Sequence, residues 1–401
     1  MHEVGILSGS EQTMAQMTYR ERILATLLGK RADKIPFFHV WRHLQTGEAE
    51  REARNKSMGM WWQRPCYVET MPHVDIVERK GPSSGLDTTL IEYHTPVGTV
   101  SERLRKEPGV GEWKQQRSWK DVLPWVFERR IKKPEDYDVV KFMVEDTVYK
   151  ADYFPIEQAK GWLGEDGVIM AALPHSPMQM LMIHWVGTPA FYVHHARHRE
   201  KIEELYRAID KRYEEIYRIA AESPADAVIF GDNVDGVLVT PNLFQKYFIP
   251  SYEKCAKVVH EKGMLLASHF DGRLGILKDL IAKCPQDIIE AFHPPPMGDL
   301  PIREALDLWR NKVILVGFPA SVYYLGTATV KEYLLDLLRS IIPGDRICIE
   351  ASTENLVSDE HLLVLSTILE RASLPLTKEK VDEIIGNLRS RPYSTFSAKH
   401  G

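Results

Sequence analysis

Beyond residue 168 the chain alternates short apolar runs with longer amphipathic ones. The runs are VIMAALP, DAVIFGD, MLLASHFDG, DIIEAFHPP, KVILVGFPA and RICIEAST. They are apolar on both faces, as strands buried in a parallel sheet are, and helix-length segments separate them. Each run ends in polar or turn residues: Gly231-Asp232-Asn233, His269-Phe270-Asp271-Gly272, Glu290 to Pro296, Gly317 to Ala320, and Glu350-Ala351-Ser352. Near the start, MTYRERILATLLGKRADKIPFFHVW predicts a helix with Ile23, Leu24, Leu27 and Leu28 on one face, then a turn and a short strand opened by Pro36. Adding that strand and one more from the middle to the six later ones makes eight. The pattern therefore predicts an α/β fold of the (β/α)8 barrel type with an N-terminal helical extension. A doubly wound sheet is less suitable, because no glycine-rich phosphate loop follows any strand.

Residues 40 to 165 are less regular and read as an inserted cap. Within them IEYHTPVGTVSERLR alternates around Pro96 and Gly98 in the manner of a β-hairpin, and KPEDYDVVKFMVED predicts a short connecting helix and strand. No repeat or low-complexity segment divides the chain, so one domain over residues 1–401 is expected. With 44% hydrophobic residues over 401 positions, a large core is within reach.

Charge narrows the partners. A net charge of −5 provides no basic field for nucleic acid phosphates. No apolar run approaches the roughly 20 residues that cross a bilayer, and MHEVGILSGSEQTMAQ lacks the order of a secretory signal, so a cytoplasmic protein without membrane contact is expected. Cys66, Cys255, Cys284 and Cys348 stand too far apart for a zinc knuckle, a redox pair or a disulfide framework, which suits a reducing compartment. Six of nine tryptophans (Trp41, Trp61, Trp62, Trp113, Trp119 and Trp125) fall in the first third, where they could line an aromatic pocket.

The candidate chemistry gathers at the strand ends: Asp232, Asp235, His269, Asp271, Glu290, His293, Glu350 and Glu354. Barrel enzymes recruit catalytic groups from this end, where loops vary freely. Asp232 and Asp271 could equally be caps of the helices that follow. His269 and Asp271, two residues apart, would point to one side of an extended segment. With Glu350 they could bind zinc and leave a fourth position for substrate, although a hydrogen-bonded structural histidine is the alternative. The run His293-Pro294-Pro295-Pro296 makes a rigid loop that either holds Glu290 or His293 against substrate or is merely a stiff connection. His194, His195 and His198 read as solvated positions on a charged helix.

The segments TYRERILATLLGKRADKIPFF, TPVGTVSE, KKPEDYDVVKFMVEDT, FGDNVDG, SHFDG, IEAFHPPPMGDL and VILVGFPASV together resemble the uroporphyrinogen decarboxylase superfamily, and more closely its corrinoid-dependent methyltransferase branch. The resemblance spans most of the chain. It implies a distorted (β/α)8 barrel, often found as a homodimer. The decarboxylases hold tetrapyrrole carboxylates with an arginine-rich segment after the first strand; here PFFHVWRHLQTG offers only Arg42, which argues against porphyrinogen decarboxylation. Methyltransferases that pass a methyl group to a thiol hold zinc with His-x-Cys and a distant Cys. Here His269 matches the histidine, Asp271 replaces the cysteine, and Glu350 or Glu354 replaces the distant one. Such an oxygen-rich set favours Lewis-acid activation of an ether oxygen.

The resemblance thus implies a methyltransferase that demethylates a methoxylated aromatic compound and delivers the methyl group to cobalamin carried by a separate corrinoid protein. In that expectation His269, Asp271 and Glu350 hold zinc, and Asp232 or Glu290 faces the leaving phenol. His39, Trp41, Asp235 and His293 bind substrate, with Trp61 and Trp62 as further apolar walls. The alternatives are transfer from methylcobalamin to a thiol, decarboxylation, and a non-catalytic binding protein.

Overall fold

The apolar runs become parallel strands because a wholly apolar segment can only be accommodated with neighbours on both edges and cover on both faces. In a computed structural model, which describes residues 16–40, 46–80, 88–105, 125–352 and 357–390, fourteen strands are present among those residues. They are β1 (Phe37–Val40), β2 (Met58–Pro65), β3 (Tyr67–Thr70), β4 (Asp75–Lys80), β5 (Thr88–Thr95), β6 (Gly98–Arg105), β7 (Trp125–Glu128), β8 (Val148–Ala151), β9 (Gly167–Leu173), β10 (Ala227–Phe230), β11 (Leu265–His269), β12 (Ile288–Phe292), β13 (Val313–Gly317) and β14 (Ile347–Glu350). Eight of them close a barrel in the order β1-β14-β13-β12-β11-β10-β9-β2. The six late runs and the strand after Pro36 all take their expected places, and β2 is the eighth strand. Closure leaves no open sheet edge.

The chain divides into two compact units. The first comprises residues 1–61, 163–168 and 313–401; the second comprises 62–162 and 169–312. In the first unit, the helix Tyr19–Leu27 begins with a capping box between Thr18 and Glu21. Its buried face is Arg22, Ile23, Thr26 and Leu27, whereas Leu28 is 56% exposed. The expected apolar stripe is therefore rotated: Arg22 is buried because Asp33 accepts its guanidinium at 2.6 Å, and Leu28 falls at the helix C-cap, outside the regular turn. Trp61 is fully buried and stacks on Phe38 with ring centroids 5.3 Å apart, so it serves as core.

The second unit carries β9 to β12 and the cap. The cap contains an antiparallel β3–β8 pair and an antiparallel sheet ordered β4-β5-β6-β7. The hairpin read at Pro96 and Gly98 is the β5–β6 pair, with Thr95 opposite Gly98. The irregular region expected from residue 40 includes one regular barrel strand, β2, which lies before the cap. The segment read as a connecting helix and strand carries the single helix Asp136–Asp146, and strand β8 follows it. All four cysteines are free and buried, and burial pushes the Cys66 and Cys284 thiols up to about 12. Among the described residues no helix is long and apolar enough to cross a membrane.

Candidate active site

The second unit brings the ends of β9, β10, β11 and β12 together, and with them most of the residues singled out above. His269 is the last residue of β11 and pairs in register with Glu290 of β12. Its Nδ1 donates to Glu290 Oε2, and its Nε2 faces Asp271 Oδ2 at 3.5 Å. The two-residue spacing does place His269 and Asp271 on one side. Glu290 is 1% exposed. Burial opposes a charge on His269, yet the carboxylates of Glu290 and Asp271 outweigh it and raise the imidazole well above its ordinary range. The protonated ring then presents an N–H toward each carboxylate.

Backbone geometry sets this arrangement. Ala291, directly after Glu290 and still within β12, has φ of 59°, an uncommon conformation for a residue with a Cβ, and Phe270 N donates to Glu290 O at 2.9 Å. His293 Nδ1 donates to the Asp271 carbonyl at 3.2 Å, which ties the proline loop to the β11 end. Gly298 closes that loop so tightly that a Cβ there would lie 1.8 Å from the His293 carbonyl oxygen.

Asp232 follows β10 and is fully buried. It accepts hydrogen bonds from Ser176 N at 2.6 Å and from Tyr252 Oη at 2.6 Å. Burial dominates these two donors and raises the carboxyl to about 6. The following helix is capped by Thr240, so Asp232 is not its cap. Asp235 braces a loop: its Oδ1 accepts from Val237 N at 2.6 Å, and Gly272 N donates to Val234 O at 3.2 Å. A Cβ on Gly272 would lie 2.3 Å from Asp235 Cβ.

Two histidines at this end are additions to the set expected from sequence. His175 lies two residues past β9, and its Nδ1 stands 3.3 Å from His184 Nε2. Burial, then the neighbouring His184 and His269, lowers His175 to about 3, and burial with Arg129 and Arg130 lowers His184 to about 4. Both rings are neutral. The signal for His175 lies in ALPHSP, a polar pair directly after an apolar strand. The helix histidines are less solvated than expected: His194 Nδ1 bonds to Tyr137 Oη at 3.0 Å, and His195 stacks on Phe191 at 5.7 Å.

Glu350 and His39 belong to the first unit. Glu350 ends β14 and is fully buried, while the nearby Tyr323 Oη donates to Ala351 O. His39 is buried in β1, donates from Nδ1 to Val40 O at 2.8 Å, and is lowered to about 4 by burial. Trp41 and Glu354 lie outside the described residues. Among the described residues no three His, Cys, Asp or Glu side chains stand together as a metal-holding group. His269 Nε2 and Asp271 Oδ2 nonetheless make two adjacent donors, and a carboxylate on the other ring nitrogen is the usual orienting partner of a metal-bound histidine. The pair fits half of a four-coordinate zinc site.

No family model matches the chain, and no curated protein does. Among solved structures, a methyltransferase from Methanosarcina mazei superposes with a TM-score of 0.52 at 14% identity, over 92% of this chain and 99% of its own. A GH18 chitinase, ChiB from the chitin utilization locus of Flavobacterium johnsoniae, covers 55% of this chain and 81% of its own at a TM-score of 0.32 and 11% identity, too little likeness to argue from. At these identities the similarity speaks for the fold.

Proposed function

We propose that the protein is a methyltransferase that removes the methyl group of a methoxylated aromatic compound and passes it to the Co(I) of a separate corrinoid protein. The observation that carries this reading is His269 at a barrel strand end, protonated between Glu290 and Asp271. The similarity of fold to the Methanosarcina mazei methyltransferase supports it over nearly the whole length of both chains.

An aryl methyl ether is a poor electrophile because phenolate leaves reluctantly. The bond from methyl carbon to oxygen breaks with its electron pair remaining on oxygen, while the methyl group goes to the reduced cobalt of the partner. The charge growing on oxygen is the point at which this chain acts. His269, donating from Nε2, supplies a proton there, and Glu290 fixes the ring so that Nε2 is the presented nitrogen. Asp232, raised to about 6, is a second buried proton carrier at the same end. Zinc on His269 and Asp271 would supply Lewis-acid polarisation of the ether oxygen when bound. That role would replace proton donation from Nε2, and Glu290 would accept the remaining N–H of the ring.

The test is anaerobic incubation of the protein with Co(I) cobalamin and a panel of methoxybenzoates and methoxyphenols, followed by absorbance, together with metal analysis of the pure protein. Methylcobalamin formation that disappears in His269→Ala supports the proposal. Absence of transfer from every donor refutes it.

A further inference from the structure

Arg103, Arg129, Arg130 and Lys132 cluster where the β4-β5-β6-β7 sheet ends. The carboxylates beside them are engaged. Glu102 accepts from Arg130 at 2.8 Å and from Tyr93 Oη at 2.6 Å, and Glu128 pairs with Arg103 at 2.9 Å and more loosely with Lys132 at 3.9 Å. Arg129 is left over. Among the described residues no carboxylate pairs with it, and the hydrogen bond it makes is a long one, 3.4 Å from Nη1 to the His184 carbonyl.

Its position is not that of a solvated surface arginine. Arg129 lies along Gly187, where a Cβ would come within 3.4 Å of Nε, and Gly187 begins the helix Thr188–Arg197, which no side chain caps. The guanidinium and the positive end of that helix thus meet at one place. From there a row of rings leads to the strand-end site. The residue whose carbonyl Arg129 touches, His184, meets His175 edge-on with ring centroids 4.5 Å apart. His175 Nε2 is buried with no hydrogen-bond partner, and its ring lies close enough to His269 to respond to that charge.

A half-buried cation in ion-pair contact with no carboxylate among the described residues, whose nearby negative charge, Glu102, is already held by Arg130, favours an anion beside the uncharged imidazoles. The planar guanidinium matches the fork of a carboxylate in particular. We propose that Arg129 is a substrate anchor, so that the methoxylated compound is an organic acid whose carboxylate sits at Arg129 and whose body extends past His184 and His175 toward His269. This inference rests on the methyltransferase reading for the identity of the methoxy compound, but its charge preference can be measured without any methyl transfer.

Calorimetric titration of the protein alone with para-methoxybenzoate and with the neutral para-methoxybenzamide tests it. The expected result is that the acid binds at least about tenfold more tightly than the amide. Arg129→Gln should weaken binding of the acid far more than that of the amide and so erase the preference, and Arg129→Lys should retain part of it. Equal binding of acid and amide, no binding of either, or a preference that survives in Arg129→Gln overturns the anchor. Should Arg129→Gln not fold, the acid-to-amide ratio of the unaltered protein and of Arg129→Lys decides. A carboxylate preference in a protein that transfers no methyl group would remove the methyltransferase reading and leave the anchor standing. Transfer with indifference to donor charge would do the reverse.

Discussion

His269 and Glu290 face each other across the β11–β12 ladder as paired positions of neighbouring strands, and Glu290 accepts the Nδ1 proton. The ladder that closes the barrel is thus the same device that fixes which ring nitrogen is presented. Glu290→Gln keeps the shape but removes the charge that, against the cost of burial, helps hold the imidazole protonated. Methyl transfer should fall on the order of a hundredfold, the scale of a lost general acid. The alkaline limb of its pH profile should move toward lower pH, and a purely structural role for Glu290 would leave that limb in place.

Stability should be greatest near pH 6.5. His39 and His184 are held at about 4 and His175 at about 3 in the folded chain, all below the ordinary histidine value. As pH falls below about 6.5 the unfolded chain takes up protons that these folded rings refuse, so stability is lost on acidification toward pH 4. Asp232, raised to about 6, has the opposite sign: between about 4 and 6 the folded state holds a proton that the unfolded state has released. Three groups against one leaves the acid side unstable. Above 6.5, His269 keeps its proton when folded and loses it when unfolded, so stability declines again. Thermal midpoints measured from pH 4.5 to 9 check this, and a flat profile from 4.5 to 6.5 contradicts it.

Much of this was legible in the chain. The apolar runs announced six barrel strands, and their polar ends announced His269, Asp271, Glu290 and Asp232, because burial on both faces leaves a strand no polar position except its end. Partner identity was not legible. His269 and Glu290 are 21 positions apart and meet only through strand register, which no local pattern encodes. Arg22 broke the helix stripe for the same reason: its burial depends on Asp33, not on its own type. His175 and His184 were missed because they act as a pair across an irregular helical turn, where sequence spacing predicts no contact.

Glycines in the site loops should separate from glycines elsewhere. Gly298→Ala would set a Cβ 1.8 Å from the His293 carbonyl oxygen, and Gly272→Ala would set one 2.3 Å from Asp235 Cβ. Each should cost about 2 to 4 kcal/mol as the loop backbone shifts, and Gly298→Ala should also weaken the His293 bond to Asp271. Gly161 lies in the helix Phe154–Leu163, where an added Cβ would meet nothing within 4 Å, so Gly161→Ala should stabilise by about 0.5 to 1 kcal/mol. Denaturant midpoints of the three variants give the comparison; equal effects would mean that the site loops are not tightly closed.

Tyr252→Phe separates two roles of Asp232. The tyrosine hydroxyl is one of two donors that moderate the effect of burial on this carboxyl. Without it the carboxylate loses a charge-assisted hydrogen bond, at a cost of about 1.5 to 3 kcal/mol in the ionised form, and the carboxyl titrates above its present value of about 6. If Asp232 carries a proton in methyl transfer, activity should persist to higher pH in the variant, with the limb assigned to Asp232 moved alkaline. If Asp232 is only a brace joining the β9 loop to the helix Ile249–Glu261, the pH profile should keep its shape while the thermal midpoint drops. The loss in stability is itself pH-dependent with a determined sign, since the missing bond matters most when Asp232 is ionised. The gap between variant and parent should therefore widen as pH rises from 5 to 7, and a gap that is constant over that range would show that Asp232 does not titrate there.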